Sequence, residues 1–148
     1  MNPTKTVTGL NYLSFPISVT LFHDESIVLN GNAISITNST QYYGNQQCVQ
    51  DPPALLDSFY HPFMIYPGNY TLTIYGTRAN NNGIFSIYID EYFIGTVDWY
   101  DTTTHHPYST SISVTIQDAK THNLKFVCTG KNASSSDYHG VFYKFIIQ

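Results

Sequence analysis

The chain has 148 residues, which is the length of one domain and enough to enclose a hydrophobic core. Hydrophobic residues make up 42% of it and charged residues only 11%, against about 25% in an average soluble domain. The net charge is -4, and the six Lys and Arg residues are scattered without a basic run, which disfavours binding to the phosphate backbone of a nucleic acid.

Aromatic and small polar residues dominate the composition. Thirteen Tyr and nine Phe favour strands, because flat or β-branched side chains fit a pleated, half-buried surface. The polar remainder is mostly Asn, Thr and Ser, so residues that favour helices are scarce. The composition predicts β structure with a weakly charged surface that suits neutral polar ligands or a protein interface.

The first residues, MNPTKTVTGLNYLSFPISV, lack the basic region and long apolar stretch of a signal peptide. No window approaches the roughly 18 apolar residues of a membrane-spanning helix. We therefore expect synthesis in a cytoplasm, with neither a signal peptide nor a transmembrane segment. Of the two cysteines, Cys128 lies in an apolar strand and is expected to be a buried thiol, and a disulfide with Cys48 stays open.

Short strands separated by turn residues start early in the chain. The first three predicted strands are Phe15–Phe22, Ile27–Leu29 and Ala33–Thr37. The Asn-Gly-Asn segment at 30–32 predicts a hairpin turn between the second and third, because Asn and Gly tolerate positive φ. A long loop is predicted over Asn38–Asp57, whose paired prolines cannot sit inside a central strand.

From Ser58 onward the apolar residues alternate with polar ones more regularly, as a strand with one buried face requires. The predicted strands are 58–66, 69–76, 84–90, 93–97, 112–116, 124–128 and 141–147. Between them we predict loops or turns at 78–83, 90–92, 98–108, 118–121 and 130–138.

About nine or ten strands without a helix of consequence predict an all-β fold. Because a single open sheet of that size would leave damaging edges, we expect a two-sheet antiparallel β-sandwich, specifically a jelly roll. The chain is predicted to be one domain over 1–148. Residues 58–148 form its core segment, and residues 1–57 either complete the sheets or form an arm or long loop.

Two stretches carry a family resemblance. Gly68–Tyr100 contains a G-x-Y-x-L strand, an I-x-I-D strand end and a G-T-x-D strand, and Thr121–Ile147 contains T-H-x-L-x-F and G-K-N-x-x-S. This order resembles the galactose-binding-like jelly rolls, particularly those of the carbohydrate-binding-module type. The resemblance implies a jelly-roll fold, and it implies that sugars are held by aromatic side chains and an Asn, on loops at one rim or on a concave face. Asn132 is the candidate for that Asn. Similar modules also occur in virus particles and phage tails.

The best candidate ligand site is the loop that contains Trp99, Tyr100 and Tyr108, flanked by Asp98 and Asp101. Flat rings stack on the apolar faces of sugars, and neighbouring carboxylates accept bonds from hydroxyl groups. The alternative is that Trp99, the one Trp of the chain, plugs one end of the core.

Catalytic and metal-binding patterns are not evident. His105 and His106 are adjacent and point different ways, and the loop lacks the dense alternating carboxylates of a calcium site. The sequence contains no G-x-S-x-G, H-E-x-x-H or phosphate-loop motif, and most carboxylates lie in turns. We predict no catalytic residues, no metal site and no cofactor, and therefore no enzyme.

Two functions remain open. The leading hypothesis is a structural and binding protein of a virus or phage particle, located in the virion, for capsid decoration, fibre or receptor contact. Its partners would be other capsid proteins or further copies of itself in a homo-oligomer, together with cell-surface glycans, with no nucleic acid and no membrane insertion. The alternative is a free-standing, lectin-like module that binds neutral glycans.

Overall fold

The computed structural model describes residues 18–22, 27–30, 34–39, 44–49 and 54–148. These residues form eleven strands and no helix, so none of them belongs to a helix that could cross a membrane. The strands are β1 (Val19–Phe22), β2 (Ile27–Asn30), β3 (Ile34–Ser39), β4 (Gly44–Val49), β5 (Ser58–Phe63), β6 (Gly68–Arg78), β7 (Gly83–Ile89), β8 (Tyr92–Asp98), β9 (His105–Ile116), β10 (His122–Lys131) and β11 (Gly140–Ile147).

The strands form two antiparallel sheets. The first sheet has the order β3-β4-β11-β6-β9, and β1 also pairs with β11. The second sheet has the order β2-β5-β10-β7-β8. The predicted all-β, two-sheet antiparallel sandwich is confirmed, with eleven strands in the described residues instead of nine or ten.

The early strands differ from the prediction. β2 pairs with β5 in the second sheet and β3 pairs with β4 in the first, so the predicted hairpin between them is wrong and the chain crosses between the sheets. Of the predicted turn at 30–32, Asn30 is the last residue of β2, and residues 31 and 32 lie outside the described residues. β4 falls inside the predicted loop Asn38–Asp57, because its pairing with β3 and β11 uses backbone groups and its polar sequence has no apolar alternation.

The core between the sheets is built from alternate residues of the central strands. On β10, the side chains of Leu124, Phe126 and Cys128 are fully buried, and Leu72 and Ile74 on β6 face them from the first sheet. The intervening residues are only partly buried, because successive side chains of a strand point to opposite faces. This period-two burial confirms the alternation that predicted these strands.

Phe142 on β11 lies at the centre of the aromatic core. Its ring centroid is 5.2 Å from that of Phe59, 5.1 Å from Phe85, 5.3 Å from Phe126 and 5.6 Å from Trp99. Phe59, Phe85 and Phe126 belong to β5, β7 and β10, the three inner strands of the second sheet. One side chain of the first sheet therefore contacts three neighbouring strands of the other, in the offset and edge-on geometries that aromatic pairs prefer.

An irregularity in β11 lets two aromatic side chains that are an odd number of positions apart both enter the core. Phe142 and Phe145 are three residues apart, and strict alternation would point one of them outward. The pairing register of β11 with β6 shifts between Phe142 and Lys144, so both rings remain fully buried. The intervening Tyr143 is also largely buried, and its hydroxyl makes a hydrogen bond with the hydroxyl of Thr77 on β6.

Replacement of Phe142 by Ala should lower the free energy of unfolding by about 3 to 5 kcal/mol, because the cavity removes contacts with both sheets at once. The matched control is Phe93→Ala on β8, where the ring is 59% exposed and the loss should be at most about 1 kcal/mol. Urea unfolding followed by far-ultraviolet circular dichroism measures both. Equal losses in the two variants would contradict the central place of Phe142.

Cys128 is a free, fully buried thiol on β10, as the sequence predicted for it. Burial raises the pKa of this thiol to about 11. Since only the thiolate is nucleophilic, Cys128 should not react with a thiol reagent in the folded protein at pH 8, and it should react fully in denaturant. Mass spectrometry after labelling, with digestion to locate the label, checks this. Rapid labelling of Cys128 in the native protein would contradict the packing.

Candidate functional site

Three connections meet at one end of the sandwich and bring the sequence-predicted site residues together. The segment 99–104 joins the segment 79–82 through a bridge between Tyr100 and Ala79, and Asn82 forms a second bridge with His139 in the segment 132–139. The side-chain amide of Asn132 donates to Asp98 Oδ2 at 3.1 Å. We call this region the loop end.

Trp99 is part of the core and not of the surface of the loop end. Its side chain is 0% exposed, and its ring meets those of Tyr108 at 5.8 Å and Phe142 at 5.6 Å edge-on. Gly76 on β6 leaves the space for it, because a Cβ there would lie 3.2 Å from the indole and 2.3 Å from the carbonyl oxygen of Val141. A ring without an exposed face cannot stack on a sugar, so the prediction that Trp99 binds a ligand is corrected to its alternative, a plug of the core.

The charged groups of the loop end bind one another. Arg78 donates to the carbonyl oxygen of Tyr100 at 2.8 Å, lies 3.4 Å from Asp101, and places its guanidinium 4.8 Å from the centre of the Tyr108 ring. A hydrogen bond from the amide of Thr103, aided by the positive charge of Arg78, lowers the pKa of Asp101 below its ordinary value of 3.8. These bonds fix the loops relative to β6.

The Asp98 carboxylate also accepts hydrogen bonds from neighbouring groups of the loop end. It accepts a hydrogen bond from the amide of Tyr100 at 2.9 Å in addition to the one from Asn132. His105 lies 3.7 Å from Asp101, and nowhere in the described residues do three His, Cys, Asp or Glu side chains converge as a metal site would require. Ligand binding by five other residues stays a prediction: Tyr100, Asp98, Asp101, Tyr108 and Asn132. Their side chains are half-buried. Those of Asp98, Asp101, Tyr108 and Asn132 already contact other groups of the loop end.

A cavity of about 400 Å³ opens at the opposite end of the sandwich. It lies between the β7–β8 turn and the β9–β10 connection, which crosses from the first sheet to the second. We call it the end cavity. Its lining residues are Ile89, Asp90, Tyr92, Ile94, Thr115, Ile116, Gln117, Asp118, Lys120 and His122.

A buried histidine joins the two walls of the end cavity. His122 is 3% exposed; its Nδ1 lies 3.0 Å from Asp90 Oδ2, and its Nε2 lies 2.9 Å from the carbonyl oxygen of Asp118. Asp90 comes from the β7–β8 turn and Asp118 from the β9–β10 connection. The two turns are therefore held at a fixed separation by one imidazole ring.

The charges at the end cavity are paired. Partial burial opposes the ionisation of Asp90, but the hydrogen bond from the Asn123 amide at 2.9 Å, together with His122, lowers its pKa below the ordinary 3.8. The ammonium of Lys120 lies 3.2 Å from Asp118 and 3.8 Å from Asp90, and the bond to Asp118 raises the pKa of Lys120 above 10.5. The carboxylate of Asp90 and the ammonium of Lys120 are therefore charged at neutral pH, and the positions of both groups are constrained by these contacts.

An exposed aromatic ring stands beside these polar groups. Tyr92, the first residue of β8, is 78% exposed, and Ile94 adds apolar surface to the same wall. The exposed ring of Tyr92 leaves an apolar face accessible to a ligand at this wall. The end cavity thus combines a flat apolar platform with oriented donors and acceptors.

From the sequence, Asp90, Tyr92 and Asp118 are predicted only as residues of turns. The information that could have revealed the end cavity is the order of the strands in the sheets. In an antiparallel sandwich, turns that follow β7 and β9 lie at the same end, so the polar residues of both turns are neighbours. Proximity of this kind becomes visible only when the strand order is known.

The chain was compared with known proteins. No protein-family model and no curated protein matches it. Among solved structures, it is similar to the CBM36-1 domain of a multidomain xylanase from the hindgut metagenome of Trinervitermes trinervoides, with a TM-score of 0.62 and 10% identity over 88% of this chain and 96% of that one. A family 35 carbohydrate binding module from an environmental isolate gives a TM-score of 0.63 and 12% identity over 88% and 92%.

A larger protein contains the same fold. The Paenibacillus xanthan lyase matches 88% of this chain with a TM-score of 0.70 and 22% identity, but the match spans only 13% of the lyase. Together these likenesses define the class of fold: the chain is a jelly roll of the carbohydrate-binding-module type, as the sequence resemblance predicted.

Replacement of Asp90 by Asn tests the charge pairing of the end cavity. Because the folded pKa of Asp90 is lowered, its ionised form stabilises the fold above pH 3.8, and this contribution is lost as the pH falls below that value. The variant should lose about 1 kcal/mol of unfolding free energy at pH 7, and the difference from the natural chain should shrink below pH 3.8. Asn tolerates the positive φ of 55° at this position, so the turn itself is not strained.

Urea unfolding at pH 7 and at pH 3 measures the effect of Asp90→Asn. The matched control is Glu91→Gln, at the next position, where the side chain is 88% exposed and paired with Lys125. That variant should change stability little at either pH. A loss for Asp90→Asn that is the same at both pH values would show that the charge of Asp90 is not the source of the stabilisation.

Proposed function

We propose that the chain is a non-catalytic module that binds glycans in the end cavity. The observation that carries the proposal is the 78% exposed ring of Tyr92 beside Asp90, Asp118 and Lys120. A pyranose ring has an apolar face that stacks on an aromatic ring and hydroxyl groups that both donate and accept hydrogen bonds. A cavity of about 400 Å³ lies in the range of small-molecule sites.

The charges at the end cavity are partly compensated, which is compatible with a neutral ligand. The ammonium of Lys120 lies 3.8 Å from Asp90 and 3.2 Å from Asp118 and offsets part of their negative charge. Their remaining lone pairs and hydrogens are available to hydroxyl groups, and Gln117 and Thr115 add uncharged donors and acceptors. The fold is also consistent with the proposal, because the solved structures that share it include carbohydrate-binding modules, although a shared fold does not by itself carry a function.

The absence of catalysis is part of the proposal. A glycosidase requires two carboxyl groups across the scissile bond, one of which is a general acid with a raised pKa. Asp90 and Asp118 line the same cavity, but the pKa of Asp90 is lowered. Its hydrogen bonds hold it ionised, which suits an acceptor of hydrogen bonds and opposes the donation of a proton.

The virion role remains a prediction from the sequence, and so do its capsid partners and its homo-oligomeric state. Specific co-sedimentation of the protein with capsids in the absence of glycan binding would favour that role. Nothing in the geometry of the end cavity favours it over the recognition of a sugar.

A glycan array that includes neutral fragments of xylan, with fragments of the acidic polysaccharide xanthan for comparison, tests the proposal, since the similar structures belong in part to a xylanase and a xanthan lyase. The natural chain should bind at least one neutral glycan, and Tyr92→Ala should lose about 5- to 150-fold in affinity, because removal of a stacking ring costs about 1 to 3 kcal/mol. Tyr92 is exposed, so the variant should keep its melting temperature, which is measured in parallel.

Tyr100→Ala is the matched control at the loop end. It should keep its affinity if the end cavity is the site. Loss of binding in Tyr100→Ala but not in Tyr92→Ala would instead place the glycan at the loop end, where the sequence predicted it. Turnover of a bound glycan that disappears in Asp90→Asn would contradict the non-catalytic assignment.

A further inference from the structure

Both ring nitrogens of His122 face hydrogen-bond acceptors. Nδ1 lies 3.0 Å from Asp90 Oδ2, and Nε2 lies 2.9 Å from the carbonyl oxygen of Asp118. A carbonyl oxygen cannot donate a hydrogen bond, and neither can the carboxyl group of Asp90, which its own hydrogen bonds hold ionised. A neutral imidazole carries one N–H and satisfies one of these contacts, whereas an imidazolium carries two and satisfies both. We call this arrangement of His122, Asp90 and Asp118 the histidine clasp.

The groups around the imidazole come from four parts of the chain. The β7–β8 turn contributes Asp90, and the β9–β10 connection contributes Asp118, whose Oδ1 lies 3.6 Å from the imidazole Nε2, together with Lys120. β5 contributes the uncharged ring of Phe63, 5.6 Å from the imidazole between centroids, and β8 adds Tyr92 to the same cavity. The imidazole is only 3% exposed, so its hydrogen bonds are made to these protein groups and not to bulk water.

The imidazole is the group of the clasp that changes charge near neutral pH. Partial burial opposes the ionisation of Asp90, but its hydrogen bonds lower its pKa below 3.8. The bond to Asp118 raises the pKa of Lys120 above 10.5. Neither group therefore changes its charge between about pH 5 and pH 8, the range in which histidine side chains ordinarily do.

Deprotonation of the imidazole removes one of its two contacts. Hydrogen bonds to an ionised partner are the stronger ones, so the carboxylate of Asp90 keeps the remaining N–H. The lone pair of Nε2 then faces the carbonyl oxygen of Asp118 at 2.9 Å, which is repulsive. The ion pair of Lys120 with Asp90 still links the β9–β10 connection to the β7–β8 turn, but its atoms are 3.8 Å apart and the lysine is half exposed, so it is a weak link.

We propose that His122 is a positioning residue of the end cavity that acts as an imidazolium: it holds the β9–β10 connection in place at mildly acidic pH and releases it as the pH rises. That connection carries Gln117, Asp118 and Lys120, which line the cavity. The consequence for binding rests on the proposed function, since affinity for a glycan is then highest while the imidazole is protonated. The clasp itself is a property of the protein without a ligand.

Nitrogen-15 NMR of the full chain, labelled at histidine and at the backbone, tests the clasp directly. At pH 5.5 both ring nitrogens of His122 should have the chemical shifts of an imidazolium. As the pH rises to 8.5, Nε2 should move to the shift of an unprotonated nitrogen. The backbone amides of Gln117, Asp118 and Lys120 should shift with the same midpoint as the ring.

Two NMR results would overturn the clasp. One is a His122 ring that keeps a single protonation state from pH 5.5 to pH 8.5, and the other is a ring that titrates while the three amides stay unchanged. The matched control is His105→Gln at the loop end, where the ring is 55% exposed and 3.7 Å from Asp101. This variant should leave the pH profile of the three amides as it is in the natural chain.

Calorimetric titration at pH 5.5 and pH 8.5 measures the consequence for binding. Xylohexaose is the first probe, followed by the neutral glycan that the array selects. Affinity should fall about three- to tenfold between the two pH values, the equivalent of one hydrogen bond, and His122→Gln should remove this difference. A non-titrating Gln separates the pH effect from packing, and the NMR measurement on the natural chain decides the matter if that variant does not fold.

The outcomes for the clasp and for glycan binding are distinguishable. Equal affinity at both pH values, in a protein whose ring and amides titrate together, would overturn the coupling of the clasp to binding and leave the proposed function intact. Absence of binding to every neutral glycan at both pH values, with the expected NMR result, would overturn the proposed function and leave the clasp in place.

Discussion

The packing of one phenylalanine ring against the opposite sheet sets the geometry on which the other features depend. Phe142 contacts rings from three strands of the second sheet and the indole of Trp99. Because dense cores adapt little, this contact fixes both the spacing of the sheets and their relative position. The register shift of β11 belongs to the same constraint, since it is what lets Phe142 and Phe145 enter the core together.

The two ends of the sandwich use similar residues in different ways. At the loop end, Arg78, Asp98 and Asp101 satisfy one another and the backbone, and Trp99 fills the space beneath them. At the opposite end, His122 and Lys120 pair with the carboxylates, but the ring of Tyr92 has no place in the core and remains in solvent. A polar cluster with an exposed aromatic platform can bind a sugar, whereas a polar cluster that closes over a buried ring stabilises a loop.

The likeness to carbohydrate-binding modules concerns the fold, and the proposed function rests on the site. At 10% to 12% identity, the sheets can coincide while every side chain of a binding surface differs. The proposed site is therefore defined by residues of this chain, through the position of Tyr92 beside Asp90, Asp118 and Lys120. The ammonium of Lys120 offsets part of the charge of the two carboxylates, which is compatible with a neutral ligand.

The sequence by itself determined the fold class and most of the strands from Ser58 onward, because burial of one face of a strand imposes an alternation that can be counted, as in Leu124, Phe126 and Cys128. The predicted loop 98–108 was wrong in its second part, because β9 begins at His105 and includes Tyr108. The sequence also determined that Asp98 and Tyr100 share a loop, since they are close along the chain. Only the tertiary structure decided that Trp99 is buried, that β4 completes the first sheet and that Asp90 lies beside His122. These features depend on which strands become neighbours, and strand pairing is made by backbone groups that every sequence carries and by contacts between residues far apart in the chain.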